Sequence, residues 1–183
     1  MKIITGRLVL RDIVMKDVKD IVENANDILI SRYVTHVPYP YTLKDGKDFV
    51  KHCNEKAKEK PRKTYEFGIE LKSEKKIVGM ITLSSVDKFN GTATIGYWLG
   101  RKYWRNGIMS EALNSILDFA FNRLKLRRMD ISASTKNKAS NGLIRKFGFE
   151  KEGMRRKKLR AKSTGKIHDE NIYGLLKEDW KKK

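Results

Sequence analysis

The sequence predicts an α+β fold, a mixed and mostly antiparallel sheet of about six or seven strands flanked by helices. Three observations predict it. Short apolar or alternating runs of strand length are interspersed with segments whose apolar residues recur every three or four positions. Asn90-Gly91, between two of the runs, is a tight hairpin signal and so joins antiparallel neighbours. A third run, ending in Ile95 to Leu99, hands over to a long helix through a basic, glycine-containing turn.

The elements follow in order. A first strand covers residues 7–11. A helix presents Val18, Ile21, Val22 and Ala25 on one face, and a second helical stretch spans 27–33. A proline turn at 38–41 precedes a helix at 43–59. Strands then cover 64–71, 76–86 and 92–99. In the helix 108–124, Met109, Ala112, Leu113, Ile116, Leu117, Ala120, Phe121 and Leu124 make one apolar face. A strand at 128–134 leads to a helix at 138–147, which stops on Gly148, a C′ residue. Two strands, 150–160 and 166–176, finish the chain. There is no repeat and no linker-like segment, so residues 1–183 form one domain.

Composition bounds the function. No run of about 20 apolar residues exists to span a membrane. The N-terminal residues hold no apolar stretch of signal-peptide length. One cysteine, Cys53, excludes an internal disulfide. A reducing cytoplasm is the expected location, with no membrane partner. The net charge of +19 leaves two readings, attraction to polyanions such as RNA or a lysine-rich solvated surface. The densest basic run is 155–160 (RRKKLR), with a second at 181–183. One Cys and three His give no metal-ligand cluster. Gly91 and Gly96 have phosphate-loop spacing, but Tyr97-Trp98 follows in place of Lys-Ser/Thr.

The chemistry concentrates in IGYWLGRKYWRNGIMSEA, residues 95–112. A strand passes through Arg101, Lys102 and Arg105 into a helix that begins after Asn106-Gly107. Such a turn aims free N–H groups and the positive end of the helix dipole at one spot, where a phosphate binds. Gly107, lacking a Cβ, lets the backbone approach closely.

This segment resembles the acyl-CoA-binding segment of the GNAT N-acetyltransferases. It is most similar to the branch that acetylates ribosomal-protein N-termini, the RimJ/RimL type, which reads E-I-G-Y-W-L and then Y-W-G-K-G-Y-A-T-E-A. The likeness runs through the chain in order. Thr5-Gly6-Arg7-Leu8-Val9-Leu10-Arg11 is similar to the family's T-x-R-L-x-L-R strand. Pro38-Tyr39-Pro40-Tyr41-Thr42 resembles its P-x-P-Y-T. Asn137 and Ser140, followed by Lys146-Phe147-Gly148-Phe149, resemble its N-x-x-S…K-x-G-F. His168-Asp169 through Tyr173, and Asp179-Trp180, are similar to its last strand and end.

The resemblance implies a sheet splayed between its two middle strands, with acetyl-CoA in the gap and CoA as product. It implies direct attack by an amine in a ternary complex, and a monomer or homodimer. Trp104, Arg105, Asn106, Gly107, Ile108, Met109 and Ser110 would hold the pyrophosphate, with charge from Arg101 and Arg105. The backbone of Tyr97, Trp98 and Leu99 would pair with the pantetheine arm, and the Leu99 amide would be the oxyanion donor. Asn137 would bond the cofactor arm, and Ser140 would protonate the leaving thiolate. The other reading of Ser140 is a helix-start hydroxyl bonded to local backbone.

The chain departs from the family pattern. Trp104 and Met109 stand at the ends of the [QR]-x-x-G-x-[GA] turn, and Met109 is bulkier than Ala or Gly. Ile144 stands where many relatives have a tyrosine acid. Thr94 replaces the Glu before I-G-Y-W, and 155–160 holds no carboxylate, so both customary base positions are empty. Glu66, Glu111 and Asp169 are the remaining candidates, and His168 is a candidate for the acceptor groove. Three functions stay open: acetylation of a protein or peptide N-terminal α-amine, acetylation of a polyamine or aminoglycoside, and a non-catalytic nucleic-acid-associated protein. The first leads, with ribosome or RNA association through the basic surface.

Overall fold

In the computed structural model, which describes residues 1–180, the chain folds around one eight-stranded sheet. Its strands are β1 (Lys2–Ile4), β2 (Leu8–Arg11), β3 (Tyr65–Leu71), β4 (Lys76–Asp87), β5 (Thr92–Leu99), β6 (Arg128–Ser134), β7 (Glu150–Arg160) and β8 (Ile167–Leu176). They lie in the order β1-β2-β3-β4-β5-β6-β8-β7. Every pair is antiparallel except β5 with β6. The basic tail at 181–183 lies outside the described residues.

Two apolar layers cover the sheet. On one face, α4 (Ile108–Asp118) and α5 (Lys138–Lys146) pack on Phe67, Ile81, Ile95, Ile131 and Tyr173. On the other, α1 (Val18–Ala25), α2 (Ile28–Ser31) and α3 (Leu43–Lys58) pack on Ile77, Met80 and Trp98. Side chains alternate along a strand, so Ile95 and Leu99 enter the first layer while Gly96 and Trp98 face the second. Gly46, in the first turn of α3, lets that helix cross α1, since a Cβ there would lie 2.7 Å from the Val22 side chain.

The structure differs from the sequence reading in four places. The eighth strand, β1, is three residues long, too short to show a period, and exists through its backbone pairing with β2. The hairpin at Asn90-Gly91 is wider than a two-residue turn. Asp87 pairs with Thr92, and the Asp87 carboxylate accepts from Asn90 N at 2.9 Å and Nδ2 at 2.7 Å, which closes a four-residue loop. The stretch 27–33 shrinks to α2, capped by Asp27 Oδ1 on Leu29 N at 2.7 Å. The helix 108–124 is α-helical only to Asp118, then turns π-helical over Phe119–Arg123. The wider turn carries three successive buried residues, Phe119, Ala120 and Phe121.

Candidate active site

The parallel pair β5–β6 is joined only from Thr92–Arg128 to Ile95–Ile131. Beyond that point the strands diverge and leave a cleft of about 80 Å³ through the sheet. Gly96, Tyr97, Ser132, Ser134, Asn137 and Ser140 line it, with Tyr33 and Val34 at the second face. Gly100 N donates to Val78 O at 2.8 Å, which sets the alternation of the β4–β5 ladder. Gly96 and Trp98 therefore bond toward β4, and the N–H groups of Tyr97 and Leu99 point to the open side. These are free donors of the kind an extended amide arm and an oxyanion require.

The turn after β5 is built for close approach. Arg105 and Gly107 hold φ of 62° and 72°, and Gly107 caps α4 with no side chain over its first N–H groups. Arg101, Arg105 and Asn106 are exposed, as a site for an anion requires. Ile108 and Met109 turn their side chains into the core and offer only backbone to the site. The bulk of Met109 is thus directed away from the turn. Trp104, 40% exposed, donates from Nε1 to Leu99 O at 2.7 Å and pins the turn to the end of β5. Glu111 latches the turn from behind. It accepts from Thr5 Oγ1 at 2.6 Å, Arg7 N at 2.8 Å and Arg7 Nε at 2.7 Å, while Arg7 Nη1 donates to Asn106 O at 2.8 Å. Burial pushes the Glu111 carboxyl up, but the hydrogen bonds from Thr5 and Arg7 outweigh it and hold it below the ordinary carboxylate range.

On the α5 side, Ser140 Oγ meets Tyr97 Oη at 2.8 Å. It is bonded across the cleft rather than to local backbone. Burial pushes the Tyr97 phenol up to about 12, against the lowering effect of the Ser140 bond, so Tyr97 keeps its proton at neutral pH. The part played by the Tyr97 side chain was not legible in sequence, where only its backbone carried a role. Asn137 lines the cleft, but its Oδ1 caps α5 on Ser140 N at 3.1 Å, which leaves its amide N–H groups to face a ligand. Asn141 anchors the helix. Its Nδ2 donates to Ser134 O and Asn137 O, and its Oδ1 accepts from Asn171 Nδ2 and Tyr173 Oη.

The carboxylate candidates named from sequence do not line the cleft. Glu111 belongs to the latch. Glu66 on β3 accepts from Thr82 on β4, and Asp169 Oδ1 accepts from Lys157 N at 2.7 Å, holding a bulge in β7. His168 packs edge-on against Tyr33, with ring centroids 5.9 Å apart. Trp98 turns its ring into the second layer, so only its backbone borders the arm. Burial pushes the Cys53 thiol up, with Glu66 adding to the shift, and the residue serves as packing in α3. Among the described residues no group of His, Cys, Asp and Glu could hold a metal, and no helix is long and apolar enough to cross a membrane.

Comparison with known proteins agrees with this geometry. The family model of the acetyltransferase (GNAT) domain matches residues 7–150. An N-acetyltransferase of Bacillus licheniformis, p20, itself uncharacterised, is 29% identical over 176 residues, 96% of either chain. The ribosomal protein uS5-alanine N-acetyltransferase of Escherichia coli is 30% identical over 117 residues, covering 63% of this chain and 59% of that one. A GNAT-family acetyltransferase crystal structure from Bacillus anthracis superposes with a TM-score of 0.80 at 27% identity, covering 97% of this chain and 99% of that one.

Proposed function

Because the chain belongs to the GNAT acetyltransferase family, and so moves an acetyl group from acetyl-CoA to an amine nitrogen, we propose that its acceptor is the α-amine of a protein N-terminus. One observation carries this reading: no carboxylate lines the cleft to deprotonate the amine directly before it attacks, Glu170 standing behind Ser132. An α-amine has a pKa of about 7.7–8.0 and a lysine amine about 10.4, a gap worth about 3.4 kcal/mol of deprotonation. A cleft lined by Gly96, Ser132 and Ser134 suits the amine that is already partly neutral. A relative that acts on the alanine of a ribosomal protein supports the same choice.

In this reading the turn from Trp104 to Ser110 holds the pyrophosphate, helped by the charge of Arg101 and Arg105. Tyr97, Trp98 and Leu99 pair with the arm through their backbone, and Asn137 bonds it from the start of α5. The Leu99 N–H meets the oxyanion, and Ser140, backed by Tyr97, protonates the departing sulfur. The basic run 155–160 stands exposed on the edge strand β7, a surface for ribosomal RNA.

The test is a competition at neutral pH between a peptide with a free N-terminus and the same peptide blocked there but bearing lysine. The free N-terminus should be acetylated faster, by tenfold or more. Faster acetylation of the lysine peptide, or of spermidine, overturns the acceptor assignment. Repeated with ribosomes across a salt series, the assay should show association that weakens steeply as salt rises.

A further inference from the structure

We propose that Glu170 is the proton acceptor for the incoming amine, reached through the hydroxyl of Ser132. The inference rests on the acetyl transfer above, but not on which amine receives the group. Ser132 lines the cleft from β6. Its Oγ donates to Glu170 Oε1 at 2.7 Å. Glu170 sits on β8 opposite Ser134 and is 5% exposed. Its other oxygen, Oε2, is shielded from solvent and makes no hydrogen bond.

The geometry separates this carboxylate from its rivals. Ile131 and Ala133 enter the α4–α5 layer, so Ser132 faces the opposite side, the side that Gly96 leaves open. A Cβ built on Gly96 meets nothing within 4 Å. An amine nitrogen placed there has Ser132 on one bank and the Leu99 N–H groove on the other. Glu66 lies on the same face, but β4 stands between its strand and β5, and Thr82 occupies it. Tyr97 and Ser140 lie on the far bank, so the donor and the acceptor of protons are kept apart. Two groups face Glu170 from its surroundings. Arg155 Nη1 on β7 is 3.3 Å from Oε2, an ion pair whose arginine side chain is 54% exposed. His168 stands two residues along β8 on the same face, stacked against Tyr33 from the end of α2.

The step balances. A neutral amine attacks the thioester carbonyl carbon, forming the C–N bond, and its nitrogen becomes cationic. That proton passes to Ser132 Oγ as Ser132 passes its own to Glu170. The C–S bond breaks, and the sulfur takes a proton from the Ser140–Tyr97 pair. Amide and thiol leave, and solvent returns a proton to one bank and removes one from the other.

The experiment uses Glu170→Gln, which keeps the shape and the Ser132 contact but removes the basicity. Turnover is measured with whichever of three amines the wild type acetylates fastest: the free-N-terminus peptide, the lysine peptide or spermidine. The wild type thereby reports the acceptor, and the variant reports Glu170. At pH 7 turnover should fall roughly a hundredfold. Acetyl-CoA affinity should stay within twofold, and the variant's rate should climb with pH where the wild-type rate is level. Ser132→Ala, at an exposed position, should reproduce the pH effect without disturbing Glu170 burial, and reads the relay if Glu170→Gln does not fold. Turnover within threefold of wild type overturns the proposal. So does a fall with an unchanged pH profile, which would mark a merely structural carboxylate.

Discussion

The two banks of the cleft are made in different ways. The cofactor bank is nearly one piece of chain: the end of β5, the turn after it and the start of α4, joined by the first turn of α5. The acceptor bank is assembled from the end of α2, Gly96, Ser132 on β6 and Glu170 on β8, four segments far apart in sequence. A contiguous bank is positioned by local backbone geometry and holds its shape as a unit. An assembled bank is positioned by sheet register, and each member can be changed singly.

Gly107→Val should give the largest effect and break the contiguous bank. A β-branched residue is strained at a φ of 72°, and its Cβ would lie 3.4 Å from Arg7 Nη2, crowding the approach to the helix N-terminus. CoA affinity measured by calorimetry should fall by a thousandfold or more, with the fold retained. Unchanged affinity would remove this turn from the cofactor site.

Gly96→Val tests the other bank. The side chain has open space, so the fold and the CoA affinity should be preserved. The added bulk stands where the amine enters, and KM for the acceptor should rise about tenfold, a loss of about 1.4 kcal/mol. A change in CoA affinity instead would mean that the banks are not separable.

Glu111→Gln should be the mildest and act only through the latch. The folded-state pKa of Glu111 is held below its ordinary 4.5, so its stabilisation is present above that value and is lost as pH falls through the folded pKa. Wild type and variant should differ by about 1 kcal/mol at pH 7. The difference should vanish in acid, as read by urea unfolding at several pH values.

The same contrast decides what could be read from sequence. Gly107, the basic turn and the apolar face of α4 are local patterns, and all were visible. Ser140 and Asn137 were visible only through the resemblance of this stretch to the family's N-x-x-S, since a helix start alone gives such residues a capping role. Glu170 was not, because its meaning depends on β6 lying beside β8 in a register that brings Glu170 Oε1 to Ser132. The signal was present in HDENIY, where alternation puts His168, Glu170 and Ile172 on one face and Tyr173 in the core. Nothing local says that this face borders the cleft. The three-residue β1 and the π turn after Asp118 were hidden for a related reason, being too short or too irregular for a period to register.

The cleft passes through the sheet, from Tyr33 and Val34 on one face to Asn137 and Ser140 on the other, and this has a kinetic consequence. The two substrates have separate doors. Neither has to leave before the other can arrive, and neither product is trapped behind its partner. With Cys53 packed away in α3, no thiol lines the passage to carry the acetyl group between visits. On the proposed direct attack both substrates are resident at once, which predicts intersecting initial-rate lines, with spent CoA competing against acetyl-CoA and not against the amine.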